Sequence, residues 1–143
     1  MCYIAETKIN SIMATKTLKQ TRTFNAPATA IYEMLMDSKK HSKVTGAPAK
    51  ISTKEGGKFT AFGGMLAGTN IELKPNKKIV QSWRSSEWPE GHYSTLTFSL
   101  ASAGRGKTKL SLSQSNIPDN DFEGVKKGWI EYYYVPMAKM LEK

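Results

Sequence analysis

Alternating side chains dominate the middle of the chain and form two series on either side of a short turn: Ile79, Gln81 and Trp83, then Leu96, Phe98 and Leu100. A period of two predicts β-strands with one buried face. The turn between them, Trp-Pro-Glu-Gly at 88–91, contains the proline and glycine that tight turns favour. The pattern therefore predicts a long antiparallel hairpin with an aromatic side chain near its tip.

Shorter runs of strand-forming residues lie on both sides of this hairpin, at 17–24, 50–52, 58–62, 65–73 and 108–113. The links between successive runs after residue 49 are only a few residues long. Parallel neighbours would need crossovers of about a dozen residues or more. The second half of the chain is therefore predicted to be an antiparallel meander.

Two segments instead have apolar residues at three- and four-residue spacing, which predicts helices. A short helix follows Asn25-Ala26-Pro27, with Asn25 as its expected cap, and ends near Asp37. A long one begins at Pro118-Asp119, and its apolar stripe contains Phe122, Val125, Trp129, Tyr133, Met137 and Met140. Pro136 is expected to kink or break this helix, while Gly124 and Gly128 indicate close approach of backbone or a bulky neighbour.

Strand, short helix, meander and long helix together predict an α+β fold in which a curved antiparallel sheet wraps around the C-terminal helix. Eight large side chains are expected between sheet and helix: Phe59, Phe62, Met65, Trp83, Phe98, Trp129, Tyr133 and Met137. Aromatic and methionine-rich faces are commonly ordinary core. Two interpretations stay open, a filled core and a cavity for a small apolar ligand.

Composition restricts the class of protein. The chain of 143 residues has a net charge of +9 and eighteen lysines but three arginines. This charge favours an acidic partner, whereas the absence of a basic-aromatic signature argues against nucleic acid. One cysteine, Cys2, excludes an internal disulfide. With no secretory signal and no apolar run of about 20 residues, we predict a cytoplasmic protein without a membrane span. We expect residues 1–16 to be an extension and 17–143 to be one domain.

No catalytic motif is found. The two histidines, His41 and His92, lack a neighbouring acid and nucleophile. There is no glycine-rich phosphate loop and no Cys/His cluster for a metal. We therefore predict neither an enzyme nor a cofactor or metal site, and we expect His41 to be solvated.

Several separated motifs carry a family resemblance: Gly56-Gly57-Lys58-Phe59, the run 73–80 (LKPNKKIV), Trp83-Arg84, Trp88 to His92, Ile117-Pro118 and Gly128-Trp129. Over about residues 17–141 the chain resembles the C-terminal domain of the Aha family, the activators of the heat-shock protein 90 (Hsp90) ATPase. The resemblance implies a helix-grip, START-like (SRPBCC) fold. It also implies a cytosolic co-chaperone that binds Hsp90 and stimulates its ATPase. We expect no room for the separate N-terminal domain of the two-domain members.

On this interpretation a basic exterior, including Lys39, Lys40, Lys43 and Lys74, meets an acidic chaperone surface. The expected partner-binding residues are Lys77, Lys78, Arg84, Trp88, Glu90 and His92. For Trp88, packing is the first interpretation and an anchor for a partner is the alternative. The first alternative function is a carrier of small apolar ligands in the sheet–helix cavity, and the second is an enzyme that uses this cavity.

Overall fold

A computed structural model describes residues 14–141, so most of the predicted extension and Cys2 lie outside the described residues. The elements are β1 (Thr15–Phe24), α1 (Ala28–Met36), α2 (Ser38–Thr45), β2 (Lys50–Ile51), β3 (Lys58–Ala61), β4 (Leu66–Lys74), β5 (Lys78–Ser85), β6 (Ser94–Ser102) and β7 (Thr108–Pro118). A C-terminal helix follows and consists of α3 (Phe122–Gly128), a π-helical segment (Trp129–Tyr134) and α4 (Val135–Met140).

The strands form one sheet in the order β1-β7-β6-β5-β4-β3-β2, and each pairing is antiparallel. From β2 to β7 every strand pairs with its neighbour in sequence, which confirms the meander. Strand β1 is added at the far edge, where Phe24 pairs with Thr108 and Thr15 with Pro118. The prediction of an α+β fold, a curved sheet with a long C-terminal helix, is confirmed.

The buried face of the sheet follows the predicted period of two. In β5 the buried positions are Ile79, Gln81, Trp83 and Ser85, and the residues between them are partly exposed. In β4 the inward series is Leu66, Gly68 and Asn70, and it ends at a register shift between Asn70 and Glu72. The C-terminal helix covers this face with Val125, Trp129, Tyr133 and Met137.

One local prediction needs correction. Asn25 does not cap α1, because Pro27 is the N-cap residue and no side-chain bond closes that end. Residues 38–45 form a complete helix, with the Asp37 carboxylate accepting from the backbone N–H of Lys40 at 3.0 Å. The α-helical pattern is interrupted just before Pro136, where the turns widen into the π segment and Val135 N–H bonds to the carbonyl of Ile130. A wider turn accommodates a residue that cannot donate in the α-helical pattern.

Candidate functional site

The space between sheet and helix is filled by aromatic rings. Trp129 lies against Tyr133 with a centroid distance of 4.6 Å, against Phe98 at 5.4 Å and against Trp83 at 6.0 Å. The remaining internal void measures about 20 Å³. A void of this size holds about one water molecule. The interior around this void is therefore packed, and the void itself has no room for a small apolar ligand.

The eight predicted cavity residues separate into three groups. Phe59 and Phe98 face the small void, and Met137 is fully buried in the core. Trp83, Trp129 and Tyr133 form a wall that contacts both the void and an open groove outside it. Phe62 and Met65 face only the groove.

A chain of buried amide and hydroxyl groups fixes the aromatic wall. The indole N–H of Trp129 donates to Gln114 Oε1 at 2.8 Å, and Gln114 Nε2 donates to Ser94 Oγ at 3.0 Å. The Ser94 hydroxyl then donates to the carbonyl of Trp83 at 2.9 Å. Because each of these groups is paired away from water, the network favours one orientation of the Trp129 ring.

His41 is buried, which corrects the prediction that it is solvated. Its side chain lies 3.1 Å by Nδ1 from the carbonyl of Leu35 and 2.8 Å by Nε2 from the hydroxyl of Tyr133. A carbonyl can only accept, so Nδ1 carries the proton and Nε2 accepts from Tyr133. Burial lowers the pKa of His41, against the opposing effect of the Leu35 carbonyl. Burial also raises the pKa of the Tyr133 hydroxyl, so both partners are neutral near pH 7.

The tip of the β5–β6 hairpin is folded back onto the protein. Trp88 is 5% exposed, packs on Trp83 at 5.4 Å, and donates its indole N–H to Asp121 Oδ2 at 2.7 Å. Arg84 Nη2 donates to the carbonyl of Trp88 at 2.7 Å, and His92 Nε2 donates to the carbonyl of Asn116 at 2.9 Å. Trp88 is therefore a packed side chain and not an exposed anchor.

The other predicted partner-binding residues remain at the surface. Glu90 is exposed at the hairpin tip. At the opposite end of the sheet, Lys77 is exposed in the β4–β5 turn, and Lys78 lies 3.4 Å from Glu72. Lys74 contacts the same carboxylate at 3.7 Å. Of Lys74, Lys77 and Lys78, only Lys77 forms no ion pair with the residues that the structure describes. In α2, Lys39 and Lys43 are exposed and Lys40 pairs with Glu33.

Charges separate between the two ends of the sheet. The end with the β4–β5 turn carries Lys54, Lys74, Lys77, Lys78, Arg105 and Lys107 with two acids, Glu55 and Glu72. The hairpin end carries five of the twelve acids of the chain, together with two cations, Arg84 and Lys16, of which Lys16 pairs with Asp119 at 3.1 Å. The acids are Glu87, Glu90, Asp119, Asp121 and Glu123. Such a distribution gives a basic protein one locally acidic end, which its net charge does not reveal.

An open groove of about 390 Å³ lies at the acidic end, between the β3–β4 turn and α3. Its lining includes Phe62, Met65, Glu87, Asp121, Gly128 and Tyr132. Large apolar side chains at its edge stay in solvent, with Met65 45% exposed and Tyr132 51% exposed. The volume falls in the range of about 300–1,000 Å³ that is usual for binding clefts.

Two features of the groove are locally unfavourable. Phe62 has a φ of 53°, a left-handed conformation that is rare for a bulky residue. Gly128, in the helical floor, costs about 1 kcal/mol relative to alanine. A Cβ atom at Gly128 would meet nothing closer than Tyr132 Cδ2 at 4.0 Å, so the expected close neighbour is absent there. At Gly124 the neighbour is Asp121 Oδ1, which would lie 2.9 Å from a Cβ atom added at that glycine.

Sequence reasoning identified Phe62 and Met65 but missed Glu87 and Asp121 as groove residues. The unusual pair of glycines on one helix face was the available signal. Within residues 14–141 no group of three or more metal-ligating side chains is found, and no helix in that range is long and apolar enough to cross a membrane.

Comparison with known proteins identifies the family. The family model described as "Activator of Hsp90 ATPase homolog 1-like protein" matches residues 25–142. The human "Activator of 90 kDa heat shock protein ATPase homolog 1" is 34% identical over 118 residues, covering 82% of this chain and 34% of the relative. An activator homologue from Dictyostelium discoideum is 34% identical over 115 residues. The match covers 80% of this chain and 30% of the Dictyostelium protein. The chain thus spans about a third of the length of these relatives.

Solved structures agree in fold. The crystal structure of an HSP90 activator from Plasmodium falciparum superimposes with a TM-score of 0.85 at 28% identity, covering 88% of this chain and 96% of that one. A protein from Chromobacterium violaceum gives a TM-score of 0.74 at 25% identity, with coverage of 90% and 98%. The resemblance stated from the sequence motifs is confirmed, and the chain belongs to the family of activator of Hsp90 ATPase homologues.

Proposed function

We propose that this chain is a cytoplasmic co-chaperone that binds Hsp90 and stimulates its ATPase, without catalysing a reaction itself. The observation that carries the proposal is 34% identity to the human activator across 82% of the chain. The fold shared with the Plasmodium falciparum activator supports it.

The surface that we assign to the chaperone is the basic end of the sheet. Lys77 is exposed at the β4–β5 turn, and its carbonyl is held by the backbone N–H of Leu100 at 2.9 Å. The turn is therefore anchored to β6, which gives its lysines a fixed position. Clustered exposed lysines accelerate encounter with an acidic surface, and the effect weakens as salt rises.

The hairpin contributes in a different way from the one expected. Since Trp88 and Arg84 hold each other by the bond between Nη2 and the Trp88 carbonyl, they shape the tip instead of extending from it. Exposed Glu90 and partly exposed His92 are the side chains that we propose for contact there.

The test is the ATPase rate of purified Hsp90 with and without this protein, with a specific Hsp90 inhibitor used to subtract background hydrolysis. Binding is measured separately by surface plasmon resonance. An inhibitor-sensitive rise in rate together with binding is the expected result. Binding without a rise would overturn the activator role but keep the partner, whereas no binding at low salt would overturn both.

A further inference from the structure

We propose that the groove between the β3–β4 turn and α3 docks a peptide segment of a partner protein that presents a large apolar side chain beside lysine or arginine. This proposal stands on the groove alone and does not depend on Hsp90 binding.

The apolar half of the site is already formed. Phe62 and Tyr132 pack edge to face at 5.7 Å, and Met65 lies at the rim with 45% of its surface exposed. Behind them Trp83 and Trp129 close the groove, with the Trp129 ring fixed by Gln114. A rigid aromatic pocket with an adaptable methionine is a suitable receptor for one large apolar side chain.

The floor of the groove has no side chain at Gly128, although the fold does not require glycine at that position. Gly128 has helical angles, φ −61° and ψ −41°, so no left-handed conformation demands glycine. Its missing Cβ would touch only Tyr132, at 4.0 Å. Any longer side chain would instead occupy the groove. Opposite it, Phe62 is held in a left-handed conformation, and such strain is concentrated at binding sites.

The charges of the groove select the kind of partner. Glu87 and Asp121 are its only charged lining residues within the part of the chain that the structure describes. Glu90 and Glu123 lie at the same end of the sheet, where Asp119 is already paired with Lys16 at 3.1 Å. A segment with lysine or arginine beside the apolar anchor would complement them.

The probe is a fluorescein-labelled KKLWLKK peptide, whose binding is followed by fluorescence anisotropy at low salt. Its controls are EELWLEE, which the net charge of the protein would favour, and KKGSGKK, which lacks the anchor. The expected order is KKLWLKK tightest, with each control weaker by about tenfold or more. Tighter binding of EELWLEE, or equal binding of KKGSGKK, would overturn the proposal.

Variants locate the binding. Gly128→Leu fills the groove and should weaken KKLWLKK at least about tenfold, as expected for loss of an anchor pocket. Lys127→Leu adds the same side chain on the exposed face of the same helix and removes a positive charge, so it should not weaken binding. Glu87→Lys should weaken binding several-fold and reduce its dependence on salt. Thermal melting of each variant confirms that it is folded.

Two further measurements distinguish peptide binding in the groove from binding elsewhere and from self-association. Peptide-induced amide shifts in a ¹H–¹⁵N NMR spectrum should centre on Gly124, Gly128 and Met65, and shifts confined to the basic end would overturn the assignment. Sedimentation equilibrium should not reveal a wild-type dimer that is lost in Gly128→Leu. Such a dimer would assign the groove to a second copy of the chain and overturn the peptide proposal.

Discussion

Replacing His41 by asparagine tests the buried polar pair at the junction of α2 and the C-terminal helix. The His41 side chain is 7% exposed, and burial lowers its pKa below the ordinary value of 6.5. As the pH falls through about 6.5, the unfolded chain therefore binds a proton at His41 more readily than the folded protein does. Below that pH the unfolded state binds more protons, so the free energy of unfolding decreases as the pH falls.

The size of the effect follows from this difference. One proton taken up only on unfolding changes the free energy of unfolding by up to about 1.4 kcal/mol per pH unit. Between pH 6.5 and 5 the wild type should therefore lose up to about 2 kcal/mol through His41. At pH 8 this contribution is fully present, and His41→Asn should cost about 1–3 kcal/mol because the Tyr133 hydroxyl loses its buried acceptor.

The assay is urea unfolding followed by tryptophan fluorescence, from pH 8 down to 5. Both proteins are compared in a His92→Gln background, so that His41 is the only histidine in the reference protein. The reference should lose stability below pH 6.5 more steeply than His41→Asn. Parallel pH profiles, or a reference protein that becomes more stable as the pH falls, would refute the assignment of a buried neutral imidazole.

Three other changes test separate parts of the structure. Replacing Lys77 and Lys78 by Glu should slow association with Hsp90 in low-salt surface plasmon resonance, whereas the same reversal of the α3 lysines should not; equal on-rates would remove the basic end from the interface. Trp88→Phe loses the indole donor to a carboxylate at 2.7 Å and should lower the free energy of urea unfolding by about 2 kcal/mol; an unchanged midpoint would contradict this bond. Gly68→Ala places a Cβ 1.8 Å from a β5 carbonyl oxygen and should cost more than about 4 kcal/mol or prevent folding. Gly128→Ala, the matched control, should instead raise the melting temperature, since alanine is about 1 kcal/mol better in a helix.

The strands could be predicted because their signal is local. The alternation of Ile79 and Trp83 with partly exposed residues depends only on which face of the sheet is covered. Short links then fix antiparallel neighbours without knowledge of the core. The long helix was predicted for the same reason, because the stripe from Val125 to Met137 repeats at helical spacing.

The sequence left a filled core and a cavity as alternatives and did not predict the groove, because both features depend on residues far apart in sequence. His41 lies in a polar basic segment, and only its bond to Tyr133, 92 residues later, shows why it is buried. Trp88 looks like an exposed tip until Asp121, 33 residues away, accepts its indole N–H. Local patterns identify large side chains but do not show how completely their rings fill the space between sheet and helix.

The pairing of β1 with β7 affects the order of events during folding. Phe24 pairs with Thr108 and Leu18 with Gln114, so the sheet edge closes only between the ends of the domain. Phe24 and Thr108 are 84 residues apart in sequence, so at a synthesis rate of about 5–20 residues per second β1 waits roughly 4–17 s for the start of its partner strand. Pairings of such long sequence separation also slow refolding, to the millisecond-to-second range. Until β7 has been synthesised, Leu18 and Phe24 lack the strand that pairs with theirs, so two side chains that are buried in the folded protein stay exposed to other chains.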